Sequence, residues 1–124
     1  TVQNIEKARR AYQAGDLRVG LARYHDDPDS AFWGWNRVWL DPDFRAWNIQ
    51  AELAAVQAPV LAVQGLQDEY GSLAQIRGIH ATVAGTQLLE LDGCGHSPHR
   101  DRPDDVVRAT VAFVRAMEAS SCAI

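Results

Sequence analysis

Apolar and polar positions follow two regimes along the 124 residues. In the first, apolar residues recur at helical spacing. Ile5, Ala8 and Tyr12 share one face of residues 2–14, which predicts a helix stopped by Gly15. Asp16 is placed to cap a second helix over 17–26, with Leu17, Leu21 and Tyr24 on one side. Asp26-Asp27-Pro28-Asp29 is a turn and a helix start, because proline suits the first helical position. Phe32, Trp35 and Trp39 give residues 30–40 an aromatic face, and Asp41-Pro42-Asp43 ends it. Phe44, Trp47 and Ile49 follow in a short turn.

From Asn48 the pattern changes. Asn48 is a candidate cap for a helix over 49–57 with Leu53 and Val56 inward, which Pro59 breaks. Residues 60–64 are a near-continuous apolar run, the pattern of a strand covered on both faces. Leu73, Ile76, Ile79, His80 and Val83 predict a helix over 73–83, weakened by Gly78, and 86–91 is a second strand. Ser97–Pro103 is polar and turn-rich. Asp101 then caps a last helix striped by Val106, Val107, Thr110, Val111, Phe113, Val114 and Met117, with 119–124 a frayed tail. The expected organisation is a helical segment over 1–48 and an α/β segment over 49–124 with a short parallel sheet and flanking helices.

Composition narrows the function classes. At 47% hydrophobic and 23% charged, the chain is ordinary for a globular protein. Net charge is −4, and the eleven arginines and one lysine are scattered among acids, so nothing favours nucleic acid or an anionic membrane as partner. No apolar run is long enough to span a bilayer. Cys94 and Cys122 make no disulfide framework and no zinc-type spacing, so a reduced, cytoplasmic protein without cofactor is expected. The chain opens on Thr1 with no signal-peptide pattern, which fits either a mature fragment or an artificially trimmed chain.

The chemistry lies where the two strands end. Pro59-Val-Leu-Ala-Val-Gln-Gly-Leu-Gln-Asp68 is an apolar strand, a glycine and then an acid. Leu88-Leu-Glu-Leu-Asp-Gly-Cys-Gly-His96 repeats that design and ends on a histidine in a Gly-rich turn. Asp68 and His96 are 28 positions apart (96 − 68), which leaves room for one helix and one strand between them. Ligands of open parallel sheets bind outside the carboxyl ends of the strands. Asp68 and His96 are therefore expected at one site, the acid orienting an imidazole that acts as base.

This ordered pair resembles the C-terminal part of the α/β-hydrolase family, whose triad runs nucleophile, acid, histidine along the chain. The resemblance covers residues 49–118 and, more loosely, the helical leader, here cap-like. It implies that Asp68 is the triad acid, that His96 is the base, and that a small ester or related acyl bond is the substrate. The chain departs from the family in one respect. Its serines, Ser30, Ser72, Ser97, Ser120 and Ser121, form no Gly-x-Ser-x-Gly elbow, and the glycine-rich oxyanion segment is absent. The resemblance thus implies a nucleophile in an N-terminal half that acts as this chain's partner. Without it, the chain is expected to be inactive. A dehalogenase or epoxide-hydrolase relative would use an aspartate nucleophile instead, with Tyr12 or Tyr24 as an epoxide-opening acid. Carbon–carbon hydrolases often carry Trp after the histidine, where this chain has Ser97.

Alternative roles stand beside these. His96 also suits a turn histidine bonded to backbone, and Asp68 a turn cap. Glu69 is a neighbouring acid that strand alternation points elsewhere. His99 belongs to the pocket rim or to local hydrogen bonding. His25 and His80 read as helix-surface residues, and Cys94 as a small turn residue. His96, His99 and Asp101 fall short of a metal site on a Gly/Pro-broken loop. Trp33, Trp35 and Trp39 either fill a helical core or roof a substrate pocket. A two-stranded sheet also leaves an edge open, so a non-catalytic module that dimerises through that edge is the second reading.

Overall fold

The computed structural model describes residues 2–121 and divides into two units, residues 1–48 and 49–124. The first contains α1 (Val2–Ala14), α2 (Asp16–Leu21), α3 (Pro28–Leu40) and a 3₁₀ turn at Asp43–Ala46. Tyr12 of α1 and Phe32 of α3 are stacked, with centroids 3.9 Å apart. Trp33 meets both edge-on, and Leu17 and Leu21 close the cluster. Asp27 caps α3 by accepting the Ser30 N–H at 3.0 Å, and Pro28 occupies the first turn. The Tyr12 hydroxyl donates to Asp29 at 2.6 Å, and the Arg18 guanidinium grips the same carboxylate.

The helical unit departs from its sequence pattern in two places. Gly15 sits at φ +104° and serves as the N-cap of α2, which leaves Asp16 inside the first turn rather than capping it. The helix stops at Leu21, and Tyr24 stands exposed. The tryptophans do not fill a common core. Trp33 is half-buried, while Trp35, Trp39 and Trp47 are exposed; Trp39 and Trp47 pack on Phe44.

The second unit contains α4 (Gln50–Leu53), β1 (Leu61–Gly65), α5 (Leu73–Thr82), β2 (Gln87–Leu91), α6 (Pro98–Asp101) and α7 (Pro103–Ser121). The strands pair in parallel, from Leu61 opposite Gln87 to Gly65 opposite Leu91, with α5 as the connection. Arg77 of α5 holds Glu90 of β2 in a two-pronged ion pair at 2.7 and 2.9 Å. The His80 ring bonds the Thr86 carbonyl at 2.8 Å and pins the turn before β2.

Several local expectations shift here too. The helix over 49–57 shrinks to four residues, with Ile49 rather than Asn48 at its cap and Val56 exposed. Ile49 makes no side-chain cap bond, and so short a helix has little cooperative support. Ser97–Pro103 is not merely a turn, because Pro98 starts α6 inside it. Asp101 does not cap α7; its carboxylate bonds elsewhere, as described below. The last helix runs through Ser121, while Cys122 and the end of the expected frayed tail lie outside the described residues. Phe113 and Met117 are half-buried along α7, but Val107, Val111 and Val114 are exposed. Among the described residues, no helix is long and apolar enough to cross a membrane.

Candidate active site

The parallel ladder ends at Gly65 and Leu91, and the two chains continue as loops on the same side of the sheet. The Leu66 N–H donates to the Leu91 carbonyl at 2.8 Å, one rung beyond the strands. Next the Gln67 N–H donates to the Cys94 carbonyl at 3.0 Å, which carries the histidine loop back over β1. Gly65 makes this possible. A Cβ there would collide with the carbonyl oxygens of Cys94 and Gly95, rigid backbone atoms that cannot step aside. Gly93, at φ +64°, supplies the reversal just after β2.

This path brings Asp68 and His96 together. Nδ1 of His96 lies 3.0 and 3.1 Å from the two Asp68 carboxylate oxygens, so its N–H is shared between them. In the neutral imidazole that assignment leaves the Nε2 lone pair available as a base. The carboxylate is enclosed, with its side chain 8% exposed, whereas the ring is 57% exposed. Oδ1 of Asp68 also accepts the N–H groups of Tyr70 and Gly71 at 2.8 and 3.0 Å, and Oδ2 accepts Nε2 of Gln64 at 3.1 Å. The Tyr70 ring meets the imidazole edge-on at 5.0 Å. The carboxylate is thus fixed by backbone amides and Gln64, and the imidazole is steadied by an aromatic ring.

The charge on Asp68 is set by opposing effects. Burial pushes its carboxyl up, but the amides of Gly71 and Tyr70 and the bond from His96 outweigh it and hold the group below its usual range. A carboxyl lowered by folding contributes stability above its unfolded value of about 4, and that contribution disappears as pH falls through the folded value. Chemical unfolding followed between pH 7 and pH 2 is therefore expected to show an Asp68-dependent loss of stability confined to the region below about pH 4. The difference between the parent chain and Asp68→Asn should shrink across that interval and stay flat above it.

The histidine loop is tethered almost atom by atom. Oε1 of Gln67 accepts the Cys94 N–H at 3.0 Å, and Nε2 of Gln67 donates to Oδ1 of Asp92 at 2.9 Å. Asp101 accepts the Gly95 N–H at 2.8 Å, and Arg102 donates to the Asp92 carbonyl at 2.6 Å. Cys94 is 1% exposed, and burial raises its thiol, which suits a packing residue and not a nucleophile. His99 is exposed on α6, and Glu69 is exposed beside the acid. Tyr12 has its hydroxyl committed to Asp29 in the helical unit, where Trp33, Trp35 and Trp39 also lie. Among the described residues no three His, Cys, Asp or Glu side chains converge to hold a metal ion.

Sequence patterns missed Gln64, Gln67, Tyr70, Asp101 and Arg102. Glutamine and arginine in a polar loop carry no distinguishing signal, and Asp101 has the credentials of a helix cap. One cue was present: an acid six residues after a histidine-bearing glycine turn is within reach of that turn once Pro98 starts a helix.

No family model matches the chain, and no curated protein matches it. Solved structures do. One, described as a membrane phospholipase A and novel bacterial virulence factor, superposes with a TM-score of 0.59 at 24% identity over 72% of this chain and 28% of that one. A second, Est816, described as an N-acyl homoserine lactone degrading enzyme, gives a TM-score of 0.55 at 24% identity over 86% of this chain and 51% of that one. Both neighbours are hydrolases, and at this identity the likeness is one of fold. The chain spans about half of the second structure's length and less of the first's.

Proposed function

We propose that these residues are the C-terminal portion of an α/β-hydrolase that cleaves a small ester or related acyl bond, with Asp68 and His96 as its acid and base. The observation that carries the reading is the shared Nδ1–H bond from His96 to an enclosed carboxylate, reached from the ends of two adjacent parallel strands. Two hydrolases of similar fold support it. A nucleophilic hydroxyl, supplied by a preceding portion of the protein, attacks the acyl carbon while Nε2 of His96 takes its proton. The imidazolium gives that proton to the leaving alkoxide, and the acyl group remains on the nucleophile. Water then repeats the sequence and frees the acid. Asp68 holds the reactive tautomer and stabilises the imidazolium throughout.

The test is to express this chain fused to, or mixed with, the preceding portion of its protein and assay p-nitrophenyl esters of increasing acyl length. Hydrolysis is expected only from the assembled protein. An assembled, folded protein that cleaves none of them overturns the reading. Among the described residues the outer edges of the two strands are unpaired and valines of α7 are exposed, which favours a second reading, a module that pairs with its own copy. Light scattering tests it, because that reading requires a dimer of this chain alone and a monomer at high concentration overturns it.

A further inference from the structure

We infer that Gln67 is a positioning residue, which sets the separation of the acid and the base by clamping the histidine loop to the acid loop. The inference rests on Asp68 and His96 being that pair. The argument starts from what the strands leave undone. Asp68 lies three residues beyond the last paired residue of β1, and His96 five beyond that of β2. Neither distance is fixed by the ladder, so the loops need a link of their own.

Gln67 supplies it with three bonds to one short segment. Its N–H donates to the Cys94 carbonyl, its Oε1 accepts the Cys94 N–H, and its Nε2 donates to Oδ1 of Asp92. The side chain thus behaves as one more peptide unit added to a parallel ladder that has already ended. A primary amide suits this contact, because one terminal group at the end of a side chain of this length presents an acceptor atom and a separate donor atom. Asparagine is one methylene shorter, glutamate lacks the donor, and lysine and arginine lack the acceptor. Gln67 is exposed, so no demand of the core explains its ordered side chain. Its bond to Asp92 and the Gly93 N–H also keep the Asp92 carboxyl low, so a second negative charge placed opposite it would be repelled.

This polarity makes a swap experiment decisive. In Gln67→Glu the Cys94 N–H keeps an acceptor, but Asp92 faces a carboxylate and the clamp opens. In Asp92→Asn the new amide turns its oxygen toward Gln67, and the clamp survives. In the double variant the amide introduced by D92N donates to the carboxylate introduced by Q67E, and the clamp reforms with reversed polarity. The readout is the ¹⁵N spectrum of the His96 ring in the intact chain at a pH where the imidazole is neutral. The backbone amide spectrum serves as the control for folding.

The parent chain and D92N are expected to hold His96 with its proton on Nδ1. Q67E is expected to lose the hydrogen-bonded Nδ1–H resonance and shift at least half of the ring to the Nε2–H form, while amides remote from the two loops stay in place. Q67E/D92N is expected to recover the parent signal. A His96 ring unchanged in Q67E overturns the proposal, and so does a loss in Q67E, local or global, that the double variant does not repair. Asp68→Asn separates this failure from that of the underlying pair. If D68N leaves the His96 ring as it was, the acid–base reading itself falls. If D68N changes the ring and Q67E does not, only the role of Gln67 falls.

Discussion

Replacing Asp68 with asparagine in the protein assembled as proposed is expected to lower kcat about 10⁴-fold, the scale seen when a triad acid becomes an amide. The size follows from which oxygen the amide must keep. Oδ1 of Asp68 already accepts two backbone N–H groups, from Tyr70 and Gly71, so the oxygen of D68N stays there. Its NH₂ then occupies the Oδ2 position, 3.1 Å from Nδ1 of His96 and 3.1 Å from Nε2 of Gln64. A donor then faces the ring where one of the two acceptors stood, and the remaining oxygen, 3.0 Å from Nδ1, is already taken by two backbone N–H groups. The imidazole responds by moving its proton to Nε2 and accepting at Nδ1, which places a proton on the atom that has to take one. His96→Ala removes the base outright and should cost about 10⁶-fold. Steady-state kinetics on the assembled protein check both. An Asp68→Asn enzyme within tenfold of the parent would show that the carboxylate does not set the tautomer.

Substituting Gly65 with alanine is the second large effect. The residue is buried, and a Cβ at this position would meet two backbone carbonyls, those of Cys94 and Gly95, rather than a flexible side chain. Relief requires lifting the whole histidine loop from β1, which strips the Gln67–Cys94 bonds and draws His96 away from Asp68. The expected loss of stability is about 3 kcal/mol, at the upper end of over-packing costs. It should appear as a lowered denaturation midpoint. Restored activity should fall with it, even under conditions where Gly65→Ala remains folded. A stability within about 0.5 kcal/mol of the parent would mean that the loop does not approach β1 this closely.

Much of this geometry was readable in advance because it rests on local rules. An apolar run followed by glycine marks a strand end, and two such ends in tandem mark neighbouring strands of a parallel sheet. That logic locates Asp68 and His96 without coordinates. It fails where one side chain serves two distant segments. Gln67 looks like any polar loop residue until the ladder is drawn and Cys94 is seen opposite it. Asp101 has the sequence context of a cap, yet the Gly95 amide is the donor it finds. Tyr24 and Val56 fit helical faces, but their helices end before reaching them. The tryptophans mislead differently. Aromatic periodicity reports a hydrophobic face without reporting what covers it, and only Phe32 and Trp33 join the Tyr12 cluster.

The enclosure of Cys94 has a consequence for where such a site can work. Its sulfur is sealed beneath the loop that carries the imidazole, and its thiol is held in the protonated form. Peroxide and disulfide exchange both require thiolate in contact with solvent. The Cys94 sulfur is therefore chemically silent, and the Asp68–His96 geometry of its loop should not change through oxidation of that thiol.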